Sequence, residues 1–223
     1  MATESLALQM RAKRSEMMVT ELEAVALRLF EQRGFNDVTV EDIASEAHIS
    51  VRTFYRYFPA KDDVLQLRIE RRAERLAAAL AARPADEPPM HSLRLALVEA
   101  VGAEDLDLLR RWTAVVAATP VVLRGVLGGI MLKGHRVVAE FFGERLGLAS
   151  DALVPTMLAA AVGGVVQATH THWFINGGDL PTAISDGIEV LERGFGADAG
   201  TLSAATSRSR RASSRRSGTR RNL

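Results

Sequence analysis

From Ser50 to Lys61 the chain reads Ser50, Val51, Arg52, Thr53, Phe54, Tyr55, Arg56, Tyr57, Phe58, Pro59, Ala60, Lys61. Guanidinium, hydroxyl and phenol groups at this density suit the reading of a nucleic-acid duplex. An arginine fork matches guanine O6 and N7, and a threonine meets a thymine methyl or a phosphate oxygen. Ser50 can cap a short helix over residues 51–57, whose first N–H groups favour a phosphate. Its outward residues are then Arg52, Thr53, Arg56 and one or both of Tyr55 and Tyr57. Phe54 and Phe58 are placed to hold the helix against its neighbours, and Pro59 bars its continuation. By itself the pattern also fits packed helices with charged faces.

The elements that would position these groups are legible on either side. Met18, Leu22, Val25, Ala26, Leu29 and Phe30 form one stripe at helical spacing. Gly34 stops that helix in a left-handed conformation, with Phe35 available for the accompanying apolar contact. Thr39 and Asp42 form a capping-box-like start for a helix over 40–47 that buries Val40, Ile43, Ala44 and Ala47. This helix and the one over 51–57, joined by His48, Ile49 and Ser50, have helix-turn-helix dimensions. A fourth helix runs from near Ala60 to Ala82, before the break from Pro84 to Pro89. Helices are then expected over about 91–102, 104–118, 120–146, 150–176 and 181–195. Thr119 is a candidate cap before Pro120, and Ser150 or Asp151 before the next helix. No period-2 strand pattern and no internal repeat is present, so the expected fold is all-α with about nine helices.

Composition narrows the function classes. The chain has 223 residues, 48% hydrophobic and 25% charged, an ordinary globular balance. There is no cysteine, which excludes disulfides, a thiol nucleophile and cysteine-ligated metal. His170 and His172 are two apart and point to different helix faces, so no metal is expected. Nor does any residue pattern call for a cofactor. The N-terminus lacks a signal-like apolar run, and the apolar stretch Leu153 to Val166 is short and interrupted by Pro155. A cytoplasmic protein without membrane association is expected. The net charge of +1 conceals an asymmetry: from Ser207 onward Arg208, Arg210, Arg211, Arg215, Arg216, Arg220 and Arg221 occur with no acid, and the rest of the chain stands at −6. Residues 1–14 read as a flexible arm carrying Arg11, Lys13 and Arg14. Residues 197–223, poor in large apolar groups, read as a disordered Arg-rich tail.

The run Phe30 to Phe35, then Val38 to Ala44, Ile49 and Ser50, Thr53 to Phe58, Lys61 and Leu65 resembles the signature of the TetR family in order and spacing, across residues 18–66. The resemblance implies a helix-turn-helix domain over 15–59, a connecting helix over 60–83, and a helical ligand-binding and dimerisation domain over 90–196. It implies that Thr39 and Lys61 touch phosphates, and that Ser50, Arg52, Thr53, Tyr55, Arg56 and Tyr57 face DNA. Two positions depart from the family pattern: Arg52 and His48 each stand where glycine is common. The resemblance further implies a homodimer on an inverted-repeat operator in double-stranded DNA. Its interface would lie on the last two helices, with Leu158, Val162, Val165, Val166, Ile184, Ile188 and Leu191 as candidates and Gly163 and Gly164 permitting close approach.

An effector pocket is the remaining element of that reading. Trp112, Val116, Met131, His135, Phe142, Met157, His170, Trp173 and Phe174 are large or polarisable residues on the long helices, the kind that line small-molecule cavities and equally fill cores. The implied effector is small and mostly apolar, and the implied activity is repression relieved by that effector. Two alternatives stand beside it. One is a helical enzyme acting on a small molecule, though no nucleophile elbow, phosphate-binding Gly-Lys-Ser/Thr loop or His-Glu-x-x-His pair is present. The other is a non-specific DNA binder driven by the basic tail.

Overall fold

The structure, a computed structural model, describes residues 2–194, with all side chains except those at 2–9, 11, 12 and 131. Among the described residues the fold is all-α, with nine helices and no strand. The helices are α1 (Ala2–Arg33), α2 (Val40–Glu46), α3 (Val51–Tyr57), α4 (Asp63–Ala81), α5 (Pro89–Gly102), α6 (Leu106–Ala117), α7 (Pro120–Leu146), α8 (Leu153–Asn176) and α9 (Leu180–Arg193). The expected tail over 197–223 lies outside the described residues.

The chain divides into two compact units, and α4 and α7 each contribute residues to both. The first unit comprises residues 2–69 and 106–127. Its α1 is continuous from Ala2, where a flexible arm was expected over 1–14. The arm sequence carries Leu6, Ala7, Leu8, Met10, Arg11, Ala12 and Lys13, all good helix formers, with no glycine or proline to interrupt them. Of the expected stripe, Leu22, Val25, Ala26, Leu29 and Phe30 are buried and Met18 is half-buried. Gly34 ends the helix at φ +86°, and Phe35 stacks 4.9 Å from Phe30.

This unit is wider than the segment 15–59, because α6 packs on α1. Trp112 of α6 is 2% exposed, and its indole Nε1 donates to the Leu65 carbonyl at 3.2 Å. Arg111 forks onto Glu31 of α1 at 2.7 and 2.5 Å. Trp112 and Val116, expected at an effector pocket, lie in the core of the first unit. Both sit on the buried stripe with Leu109 and Val115, and a helix stripe is filled by whichever neighbour covers it.

The second unit comprises residues 70–105 and 128–194 of the described chain. Here α9 packs against both α5 and α8. Leu93, Ala96, Val138, Phe142, Ala159, Val162, Trp173, Leu180, Ile184 and Ile188 are buried. Arg145 of α7 donates to the carbonyls of Pro84 and Ala85 at 2.7 and 2.5 Å, pinning the proline-rich connection between α4 and α5. Pro155 breaks the apolar run but does not interrupt α8, in keeping with the helix expected over 150–176. It lies in the first helical turn, where its missing N–H has no acceptor to lose. By length and composition alone, α8 is apolar enough to cross a bilayer. Neither Ser150 nor Asp151 caps α8 as expected, while the Thr119 carbonyl accepts from the Leu123 N–H at the start of α7. The Thr119 hydroxyl donates back to Val115, and Ala152 is the cap residue of α8 with no side-chain bond.

Candidate nucleic-acid interface

The reading head is built by three local devices. The first is the capping box at α2. The Asp42 N–H donates to the Thr39 hydroxyl at 3.1 Å, and the Thr39 N–H and hydroxyl both donate to Asp42 Oδ2 at 2.9 Å. These bonds from Thr39, led by the backbone N–H and aided by Arg33, hold the Asp42 carboxyl below its ordinary pKa. Asp42 therefore stays ionised at the helix N-terminus, where a negative charge is favourable. The Thr39 hydroxyl, expected to meet a phosphate, is already engaged as donor and acceptor.

The second device is the turn. The Ile49 N–H reaches the Ala44 carbonyl at 2.9 Å and the His48 N–H reaches Ser45 at 3.1 Å, the paired bonds of a Schellman C-cap. That motif needs a left-handed residue, and His48 takes it at φ 54°. It is the one non-glycine residue with positive φ among those described. The departure from glycine noted in the sequence thus leaves the turn geometry intact and stores strain in it.

The third device positions α3. Ser50 accepts from the Thr53 N–H at 3.1 Å, and the two hydroxyls lie 2.8 Å apart. Phe54 is 0% exposed and packs on Phe58 with ring centroids 5.6 Å apart. With Phe54 locked inward, Arg52, Tyr55 and Arg56 are exposed, and Thr53 and Tyr57 are half-buried beside them. Arg56 donates to the Tyr57 hydroxyl at 3.0 Å and lies 4.8 Å from its ring centroid, so the two form one surface feature.

Lys61 is placed differently from its expected role. Its ammonium donates to the carbonyls of Phe35 and Val38 at 2.6 and 2.7 Å and stands 4.2 Å from the Phe35 ring centroid. Burial lowers its pKa, with Asp37 and Asp62 opposing. Two of its three donors thus tie the α1–α2 turn to the segment before α4, leaving one for a phosphate.

These devices fix an exposed, cationic, aromatic α3 on a rigid turn, as a helix-turn-helix requires. Comparison with known proteins agrees. Residues 23–67 match the model of the bacterial regulatory proteins of the tetR family, and residues 87–196 match that of the MftR C-terminal domain. The chain belongs to the TetR family. Its TetR relatives include the transcriptional regulator TcmR of Streptomyces glaucescens, 40% identical over 68 residues and 30% of each chain. They also include the mycofactocin biosynthesis transcriptional regulator MftR of Mycobacterium tuberculosis, 28% identical over 67% of this chain and 76% of that one. The likeness to TcmR thus spans less than a third of that relative's length. A TetR-family protein from Syntrophomonas wolfei superposes with TM-score 0.62 at 16% identity, covering 81% of this chain and 97% of that one. Thermus thermophilus FadR, solved with lauroyl-CoA, gives 0.53 at 21%, covering 81% and 96%. The family is one of bacterial regulatory proteins, and TetR-family regulators bind DNA and small-molecule effectors and act as dimers.

The residues expected at a TetR effector pocket are dispersed. Within the second unit, His170 and Trp173 lie together on α8 with ring centroids 5.7 Å apart. Phe142 is buried against Phe141, His135 and Phe174 are half-buried, and the Met131 side chain lies outside those described. Met157 is 59% exposed and stands outside the core of the protomer. It belongs to an outward stripe of α8 with Leu153, Ala160, Gly164, Ala168 and Ile175.

The expected interface residues need a matching correction. Val162, Ile184 and Ile188 have at most 1% of their surface exposed and are core of the protomer, with nothing left for a partner. Val165 faces α9, because a Cβ added at Gly187 would fall 2.7 Å from its Cγ1. The close helix approach is therefore at Gly187. Gly163 and Gly164 face open space in the protomer. Leu158, Val166 and Leu191 are half-buried.

Sequence reading missed the groups beside His170. Arg72 Nε and Arg75 Nη2 both donate to Glu104 Oε1, at 2.6 and 2.8 Å, and Glu104 has 2% of its side chain exposed. Burial and then Arg72 push the His170 pKa down to about 4, with Glu104 opposing. The available signal was two arginines three apart on α4, a spacing that puts both on one helix face.

Proposed function

We propose that the protein is a repressor that binds an inverted-repeat operator as a homodimer through α3, and that a small, mostly apolar effector in the second unit releases it. The observation that carries the DNA reading is the exposed Arg52, Tyr55 and Arg56 on a helix whose other face is anchored by fully buried Phe54. Arg52 and Arg56 are one helical turn apart and suited to base edges and phosphates. Ser50, Thr53, Tyr57 and the remaining donor of Lys61 flank them, and Thr39 contributes through the α2 N-terminus it organises.

The dimer would close on the outward stripe of α8, where small residues let two helices approach and Leu153, Met157 and Ile175 supply apolar surface. Two α3 helices so related read half-sites about one duplex turn, ~34 Å, apart. The lauroyl-CoA held by Thermus thermophilus FadR supports an effector with an apolar body. Such a ligand relieves repression only to the extent that it binds the non-DNA conformation more tightly.

The test is fluorescence anisotropy with DNA from upstream of the protein's own gene, against random duplex at equal salt. Specific binding should fall by about tenfold or more in Arg56→Ala, as expected for losing a good base contact of ~1–3 kcal/mol. Unchanged specific binding in both Arg56→Ala and Arg52→Ala would overturn the assignment of α3.

A further inference from the structure

We propose that Arg72 and Arg75 form the receptor for an acidic head group on the effector, a carboxylate or a phosphate monoester, which takes the place of the Glu104 carboxylate. The proposal rests on the reading of the second unit as the ligand-sensing half. Three elements meet at the site: α4 brings Arg72 and Arg75, the connection between α5 and α6 brings Glu104, and α8 brings His170 and Trp173.

The charge balance is the first argument. Two guanidinium groups share one carboxylate oxygen, so the cluster carries one positive charge in excess. His170, neutral at physiological pH with its pKa at about 4, adds no further positive charge to it. Both cations are part-buried, where an anionic partner is screened less than at the open surface. The Arg75 Nε atom is buried and has no acceptor. A bidentate anion in place of Glu104 would supply the missing acceptor in the fork geometry arginine prefers, and a phosphate monoester dianion would supply the missing charge as well.

Access is the second argument. The arginine side chains keep 22% and 34% of their surface, whereas Glu104 keeps 2%. The cations are reachable from solvent and the resident carboxylate is held behind them. Glu104 sits on a three-residue connection, Ala103 to Asp105, between the end of α5 and the start of α6. A connection yields more readily than a helix. Exchange of Glu104 for a ligand anion also acts on the chain two residues ahead of α6, giving the effector a covalent route to an element of the first unit.

Calorimetric titration of the full chain with decanoate, decyl phosphate and decanol, below their aggregation limits, tests this. The wild type should bind one or both anions at least about tenfold more tightly than decanol, the discrimination of a charge-assisted hydrogen bond. Which anion wins separates a carboxylic acid from a phosphate ester as the source of the head. Arg75→Gln keeps Arg72 opposite Glu104, so the buried carboxylate stays compensated while the anion preference should fall below about threefold. Glu104→Gln removes the competitor and should tighten both anions without changing decanol. Equal affinity for decanol, a preference that survives Arg75→Gln, or no binding of either anion would each overturn the receptor. Release of upstream DNA by decanol as readily as by the anions would leave the sensing role standing and overturn the receptor alone.

Discussion

Acid should destabilise this protein through His170, and the amount follows from where the side chain lies. Its pKa is 6.5 when unfolded and about 4 in the fold, because burial and the adjacent Arg72 guanidinium both oppose a second positive charge. Between those two values the unfolded chain binds a proton that the folded chain refuses. Stability therefore falls as pH falls through this window, at about 1.4 kcal/mol per pH unit when the difference is complete. Integrated from about pH 7.5 to about pH 4.5, the loss is about 2–3 kcal/mol, and it levels off below about pH 4. Glu104 favours the protonated ring and makes the loss smaller than burial and Arg72 alone would give.

Urea unfolding across this range, for the wild type and His170→Gln, isolates the contribution. Other groups also shed stability in acid. Asp42 and Glu87 have lowered pKa values through bonds from Thr39 and Arg83, so protonation costs them their partners. Those losses are common to both proteins. The informative quantity is the difference, with the wild type losing about 2–3 kcal/mol more than His170→Gln. Parallel curves, within about 0.5 kcal/mol, would show that His170 is hydrated or free to move in solution and would refute the reasoning.

Three other perturbations test separate parts of the fold. His48→Gly should stabilise the protein by about 0.5–1 kcal/mol in thermal unfolding, since relief of a left-handed non-glycine residue exceeds the added chain entropy. Lys61→Met should destabilise by about 1–3 kcal/mol in urea, because two carbonyls lose their donor, and any further weakening of DNA affinity reports its remaining N–H. Gly164→Ala should favour helix by about 1 kcal/mol in the protomer yet weaken the dimer in sedimentation equilibrium. An unchanged dimer constant would move the seam off this stripe.

The reading head was legible because its determinants are local. Thr39 with Asp42, Ser50 with Thr53, and Gly34 with Phe35 each act over one to four residues, so their types and spacing already specify the caps and turns that form. His48 shows how far such logic reaches. A turn bonded from Ile49 to Ala44 demands a left-handed residue whatever its side chain, and surrounding bonds make histidine comply. Lys61 marks the limit, because its acceptors at Phe35 and Val38 are 26 and 23 residues away and no periodicity encodes them.

The second unit was harder to read because its helices signal apolarity without direction. In α8 apolar and small residues occur on every face, so no stripe separates the side that meets α9 from the side left open. Position 187 decides it. Only a glycine there lets α9 approach Val165 and Thr169, since a Cβ would stand 2.7 and 3.0 Å from their methyl groups. Both neighbours are β-branched and stiff at χ1, and the Thr169 hydroxyl is bonded to the carbonyls of Val165 and Val166. Neither can turn aside. The register of α9 on α8 is thereby fixed, burying Ile184 and Ile188 and turning Leu153, Met157 and Gly164 outward. A valine at 187 would force the two helices apart, and with them the packing on which His170 and Trp173 depend. The same substitution should therefore flatten the acid sensitivity of His170 by admitting water to its ring, an outcome that the urea series would detect as a curve drawn toward that of His170→Gln.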